Sequence, residues 1–354
     1  MRRAEAALAR AWYSRRPTLV AVLLRPVSWV FGAVAALRRA AYRAQLLRGT
    51  RVRVPVVVVG NITAGGAGKT PLVAALAEAL AARGRHPGLL SRGYGRRTRD
   101  VREVRPGDDP RDVGDEPLLL AAFGFPLVVG SDRVAAAQSL IRAHPEVDVL
   151  VSDDGLQHYG LARDVEIAVI DAARGLGNRL LLPAGPLREP VSRLRSVDAL
   201  VWRAPPGKRA PSCGHAHEFV ASYEPQPWVN LLDAALPFDA ELLADPASVA
   251  VAGIADPASF FDMLRGVGFR GETRAFADHH VYARDDVAFV RAPAILMTQK
   301  DAVKCRAFAD ARMWMLPIRA RVEPALVDFV LEKIDGPKAP RNAGLPGYQG
   351  SPRS

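Results

Sequence analysis

The sequence predicts an α/β protein built on a doubly wound, mostly parallel sheet, with a smaller C-terminal α/β subdomain and a basic helical segment ahead of both. Three observations predict it. From residue 54 on, short β-branched runs alternate with helical stretches, the pattern that lays parallel strands side by side under crossover helices. One strand-to-helix turn is rich in glycine and closes on Gly68-Lys69-Thr70. The excess positive charge is confined to the first residues, which sets them apart from the body. At 354 residues, with 49% hydrophobic and 24% charged, the chain fills one large or two modest domains and is neither wholly disordered nor a repeat fibre. Its two cysteines, Cys213 and Cys305, stand in no metal-ligand spacing and suit a reducing cytosol.

Residues 1–50 form the first unit. Counting through residue 53 gives twelve arginines, no lysine and one acid, Glu5, so 12 − 1 = +11, which equals the net charge of the whole chain. The remainder is formally neutral. Nucleic-acid binding does not suit this patch, because its arginines are interleaved with large apolar residues. A membrane span needs about 20 uninterrupted apolar residues, and Arg25-Pro26 divides the run that starts at Leu19. No small-residue cleavage region follows, which argues against a signal peptide. Helical spacing places Arg25, Ser28, Gly32, Arg39 and Arg43 on one stripe and Leu23, Val27, Val30, Val34 and Leu37 on the opposite one. Arginines flanking an apolar stripe, with Trp29 nearby, compose a helix lying in a membrane interface. An ordinary docked helix with a solvated arginine face has the same composition.

The second unit, residues 51–245, carries predicted strands at 54–59, 87–91, 127–129, 147–151 and 165–170, and a helix at 69–83. A proline- and glycine-rich stretch around residues 205–217 follows. The third unit, 246–335, opens with a strand at 249–253, a helix from Pro257 to about residue 265, and a strand at 294–298. The tail, 336–354, lacks the apolar content for a core and is expected to be disordered.

The turn after the first strand reads Thr63-Ala64-Gly65-Gly66-Ala67-Gly68-Lys69-Thr70. Such a turn points successive backbone N–H groups at an anion, and the following helix adds its dipole, which makes the fold P-loop NTPase-like. Lys69 is placed to reach the β- and γ-phosphates of a nucleoside triphosphate, and the Thr70 hydroxyl to ligate Mg²⁺. Thr63 stands where the first glycine of such loops usually lies, and Gly65-Gly66 supplies the flexibility instead.

Asp153-Asp154-Gly155 follows another strand. Carboxylates at that end of a sheet lie beside the phosphate loop and hold a divalent cation; the same residues also form an Asx turn. Gly114-Asp115-Glu116-Pro117 opens a helix, where Asp115 also suits a plain N-cap. Arg188-Glu189 sits in a rigid proline-rich loop, and its arginine is suited to neutralising a transferring phosphoryl group. Asp278-His279-His280 places two histidines beside an acid. Thr298-Gln299-Lys300-Asp301 is similar to the base-reading motif of GTPases, with the lysine out of place.

In this order the motifs resemble the tetraacyldisaccharide 4′-kinase family, over residues 12–335. The resemblance is carried by Gly60-Asn61 with Gly65 to Pro71, Ser91-Arg92-Gly93-Tyr94-Gly95, Gly114 to Pro117, Asp153 to His158, Pro186 to Pro190, and Asp278-His279-His280. It implies an ATP- and Mg²⁺-dependent phosphotransferase acting on the 4′-hydroxyl of an acylated glucosamine disaccharide 1-phosphate. The enzyme would work at the cytoplasmic face of an inner membrane, on an anionic surface, as a monomer and without nucleic acid. By the same resemblance Asp115, assisted by His279 or His280, activates the hydroxyl. Lys69 and Thr70 match phosphate and metal residues, Asp153, Asp154 and Glu189 acidic active-site positions, and Arg188 a phosphate contact. Two other classes share parts of this pattern: a P-loop GTPase or metallochaperone-type switch, and a membrane-tethered NTPase with no acceptor.

Overall fold

Valines in succession point to opposite faces of a strand, and β1 (Val56–Gly60) uses this to tie two layers together. Val57 and Val59 pack with Leu72, Leu76 and Leu80 of the helix Lys69–Ala81, while Val56 and Val58 pack with Leu140 and Ile141 of the helix Arg133–Ala143. Helices on both faces leave every residue of the strand buried, hence its unbroken apolar reading. The computed structural model describes residues 10–336 apart from 15, 17, 67, 206, 208, 209 and 290. The expected disordered tail lies outside the described residues from 337 on.

The remaining strands are β2 (Pro87–Ser91), β3 (Arg102–Glu103), β4 (Leu127–Val129), β5 (Val149–Asp153), β6 (Val165–Asp171), β7 (Ala199–Ala204), β8 (Glu218–Pro225), β9 (Val229–Asn230), β10 (Val249–Ala252), β11 (Glu272–Ala275), β12 (Ile295–Thr298), β13 (Met313–Leu316) and β14 (Ile318–Val322). A nine-stranded sheet runs β14-β8-β7-β6-β1-β5-β2-β4-β3, and a five-stranded one β11-β10-β12-β13-β9. The larger sheet is parallel except at its margins, where β3 and β14 run antiparallel to their neighbours. β1 lies between β5 and β6, with Val59 opposite Asp153. That register sets the end of β5 beside the turn that leaves β1.

Among the boundaries that differ from the sequence reading are those of one strand and of the third unit. The strand expected at 147–151 runs from Val149 to Asp153, because the Val147 N–H closes a turn onto the His144 carbonyl. The chain also returns to the larger sheet after the smaller one: β14 pairs with β8, and Leu326, Val327 and Val330 of the helix Pro324–Asp335 join the core around Leu72. Residues 318–335, expected in the smaller unit, complete the larger one.

The N-terminal helix departs further. It runs unbroken from Leu19 to Arg43, 25 residues, through Pro26. Thr18 caps it, its hydroxyl accepting the Ala21 N–H at 3.2 Å. Pro26 is exposed. Ala21 and Ser28 are buried against the domain, and a Cβ on Gly32 would lie 2.6 Å from Leu181. The opposite face shows Leu23 at 69% exposure, Val30 at 65%, Trp29 at 71% and Leu37 at 73%. A docked helix of a soluble protein is ordered the other way round. By length and composition it could cross a membrane, but it lies along the domain by its small-residue stripe.

Candidate active site

Gly68 precedes the helix Lys69–Ala81 with φ +73°, and a Cβ there would come 2.8 Å from the Tyr223 ring and 3.0 Å from Arg203. Only glycine meets both conditions. Gly65, at φ +93°, turns the chain once before it. Thr63, Ala64 and Gly66 complete the described turn, while Ala67 lies outside the described residues. Lys69 extends to Asn61, its Nζ donating to Oδ1 at 3.2 Å, and lies 3.4 Å from Asp154. Asn61 is fully buried and so holds the ammonium over the turn.

Thr70 Oγ1 donates to Asp153 Oδ2 at 3.0 Å. Asp153 is itself 1% exposed, and its second oxygen, Oδ1, accepts no hydrogen bond. Burial first, and the neighbouring Glu116 charge next, push its carboxyl up to about 7 against the pull of Lys69. A buried carboxyl with an unused oxygen beside a hydroxyl suits a hard cation completed by phosphate and water oxygens, the way Mg²⁺ is usually bound. Asp154 differs. It accepts from Arg188 Nη1 at 3.0 and 2.9 Å and pairs with Lys69; burial would raise it, but those two cations outweigh it and hold it well below the usual carboxylate range. Among the described residues no three His, Cys, Asp or Glu side chains converge as a metal cage.

Glu189 sits apart from that pair. It accepts from Gln157 Nε2 at 2.9 Å and from the Tyr159 hydroxyl, with Arg193 at 3.6 Å. Gln157 also donates to the Asn61 carbonyl at 3.2 Å, so Glu189 reaches the phosphate loop through a neighbour.

Asp115 is 6% exposed and opens the helix Asp115–Ala121, with Gly114 in the cap position. Its Oδ1 accepts the Glu116 N–H of the first helical turn at 2.9 Å, and the carboxylate also meets residues of the smaller unit. His279 Nδ1 lies 3.2 and 3.0 Å from its two oxygens, and Lys300 Nζ 3.8 Å from Oδ2. Lys300 also sits 3.3 Å from His279 Nε2. An ammonium only donates, so Nε2 is the acceptor and Nδ1–H donates to Asp115. Burial would raise Asp115, but His279 and Lys300 hold it below its ordinary value. His279 carries φ +58°, a left-handed turn that aims it across the gap. His280 faces elsewhere: Nε2 meets Asp286 at 3.0 Å and the ring stacks on Phe276 at 4.7 Å. A cleft of about 660 Å³ opens onto Tyr94, Asp115 and His279 and continues to Arg284 and Arg306.

The structure thus gathers Lys69, Thr70, Asp153, Asp154 and Arg188 at the end of β1 and β5, and sets Asp115 with His279 across from them. Sequence reasoning gave Lys300 no role, noting it only as out of place in a GTPase-like motif. Asp301 is instead fully buried, accepting from Gly253 N–H at 3.0 Å and Thr298 Oγ1 at 2.6 Å. No base-reading carboxylate is presented there. Arg133 was also missed, having no motif: it is 3% exposed and donates to the Asp153 carbonyl at 3.0 Å.

The model of the family described as tetraacyldisaccharide-1-P 4′-kinase, LpxK, matches residues 20–335. A tetraacyldisaccharide 4′-kinase of Dechloromonas aromatica is 46% identical over 332 residues, covering 93% of this chain and 97% of the relative. One of Alkalilimnicola ehrlichii is 50% identical over 318 residues, covering 89% and 92%. The crystal structure of LpxK from Aquifex aeolicus in complex with ATP superposes with a TM-score of 0.73 at 27% identity, covering 89% of this chain and all of that one.

Proposed function

The chain belongs to the tetraacyldisaccharide 4′-kinase family, and from that premise we propose how its residues share the work. The enzyme transfers the γ-phosphoryl group of ATP to the 4′-hydroxyl of a tetraacyl glucosamine disaccharide 1-phosphate, a step of lipid A biosynthesis. A GTPase switch or an acceptor-less NTPase is not favoured.

A sugar hydroxyl ionises far above neutral pH, so a base must take its proton as the new P–O bond forms. Asp115 is that base. It stays ionised because Lys300 and His279 face it, and His279, through Nδ1–H, fixes which way the carboxylate points. The proton leaves the acceptor oxygen for Asp115, the oxygen's electron pair forms the bond to phosphorus, and the bond to the leaving ADP oxygen breaks. Lys69 and Arg188 donate to the phosphoryl oxygens as charge spreads over them, exchanging part of their contact with Asp154. Thr70 and Asp153 would hold Mg²⁺, which neutralises phosphate charge when bound; Asp154 and Glu189 position the cations and the loop. His280 is structural in this reading. The pairing of Asp115 with His279 carries it.

The acceptor has acyl chains and stays in a bilayer. The helix Leu19–Arg43 presents an apolar face with Trp29 and several arginines, which fits an anionic leaflet at the inner-membrane surface, with the domain on the cytoplasmic side as a monomer. The test is transfer of labelled γ-phosphate to the acceptor in detergent, with the product identified by mass. Asp115→Ala is expected to lower kcat by about 10²–10⁴-fold with ATP binding retained. Near-normal turnover removes Asp115 as the base.

A further inference from the structure

The domain-facing side of the N-terminal helix buries Ala21 and Ser28, with Leu24, Gly32, Ala35 and Arg39 half-buried beside them, and Ser28 brings a fully engaged hydroxyl. Ser28 is 4% exposed; its Oγ donates to the Leu181 carbonyl at 2.9 Å and accepts the Ala184 N–H at 3.0 Å. Packing alone asks for no hydroxyl there. Both partners belong to the irregular loop 178–187, which is also bonded to the start of the chain, Asn178 Nδ2 donating to the Ala11 carbonyl at 3.4 Å. Trp12 Nε1 donates to the Pro183 carbonyl at 2.9 Å, and Asn178 N–H to the Trp12 carbonyl at 2.7 Å.

Two residues beyond Ala184 the same loop meets the nucleotide site. The Ala64 N–H of the phosphate loop donates to the Pro186 carbonyl at 2.6 Å, and the Arg188 N–H donates back to Ile62 at 2.7 Å, with Thr63 bridged to Leu187. A Cβ on Gly185 would collide with the Asn178 side chain and the Leu180 carbonyl, so the loop has little room to adjust between its two attachments. We propose that Ser28 is a positioning residue for the ATP site: from the membrane-facing helix it fixes loop 178–187, and through Pro186 and Arg188 that loop sets the phosphate turn and the arginine that contacts phosphate.

This rests on the phosphate loop and Arg188 being the ATP-handling parts. The experiment uses the full chain in neutral-detergent micelles, where recruitment to a bilayer does not limit the rate, and measures KM for ATP and for the acceptor separately. Removing the hydroxyl in Ser28→Ala leaves the buried Ala184 N–H without a partner, while the Leu181 carbonyl keeps the Gly185 N–H, so KM for ATP is expected to rise about tenfold. KM for the acceptor and binding to vesicles of phosphatidylglycerol are expected to stay at wild type. Trp12→Phe, which removes the indole bond to the Pro183 carbonyl, is expected to shift KM for ATP the same way. Wild-type KM for ATP in both variants overturns the proposal, and so does an equal rise in both Michaelis constants, which marks general loosening. Arg188→Ala in the same assay separates the failures. An ATP defect there alone confines the failure to Ser28, whereas unchanged ATP kinetics in Arg188→Ala withdraws the underlying assignment as well.

Discussion

Lys300 stands 3.4 Å from Glu116, 3.1 Å from Asp278 and 3.8 Å from Asp115, one cation serving three acids from two sheets. Its charge is one of those that lower Asp115 against burial. Removing it in Lys300→Met therefore raises that carboxyl, and the base is protonated at a higher pH. The acid limb of kcat/KM is expected to move to higher pH; an unmoved limb would show that Lys300 does not govern the base. None of this was legible from Thr298-Gln299-Lys300-Asp301, because the roles depend on a contact across 184 residues of chain between Lys300 and Glu116. The choice between His279 and His280 was hidden for a similar reason. Adjacent residues at a sharp turn point apart, and only the φ of +58° at His279 decides which one crosses to Asp115. Lys69 and Thr70 were legible, since their work follows from local spacing around one turn.

Between residue and domain, two elements bear the function. In the phosphate turn, Gly68→Ala puts a Cβ into the Tyr223 ring and forces a left-handed φ of +73° on an L residue. Strain of about 1–3 kcal/mol is expected, with ATP affinity by calorimetry down at least tenfold. The sequence showed the glycines but not Tyr223, which arrives from β8, a strand the sequence reading did not identify. In the N-terminal helix, the periodicity set the exposed Leu23, Val27, Val30, Val34 and Leu37 opposite Ser28 and Gly32, yet it grouped the exposed Arg25 and Arg43 with the latter and could not say which stripe faces the protein. Both stripes are consistent with a docked helix until Leu181 is seen against Gly32. Because Leu23, Val30 and Leu37 are largely exposed, changing all three to Ser is expected to leave the thermal midpoint unaltered. Flotation with vesicles should fall sharply, each side chain having contributed up to about 2 kcal/mol if fully buried in lipid. A lowered midpoint with unchanged flotation would mean that the face is covered by protein instead.

At the scale of the molecule, charge is divided more sharply than fold. All of the +11 excess belongs to residues 1–53 and the rest is formally neutral, so attraction to an anionic leaflet is concentrated where the helix lies. Raising salt from 0.1 to 1 M contracts the screening length from about 10 Å to about 3 Å. Vesicle binding is expected to weaken over that range, and deletion of residues 1–43 to shift the protein from the membrane to the soluble fraction. Salt-independent binding would assign the attachment to apolar contact alone. Fold class was readable from the alternation of strands and helices, whereas the pairing of β14 with β8 was not, since an edge partner drawn from residues 318–322 leaves no local mark. That late pairing has a consequence during synthesis on the ribosome. Until residues 318–335 emerge, β8 presents an open edge and the apolar face around Leu72 lacks Leu326, Val327 and Val330. A nascent or prematurely terminated product is thus left sticky beside its own ATP cradle, and the last helix made is the one that renders the first-made sheet fit to release.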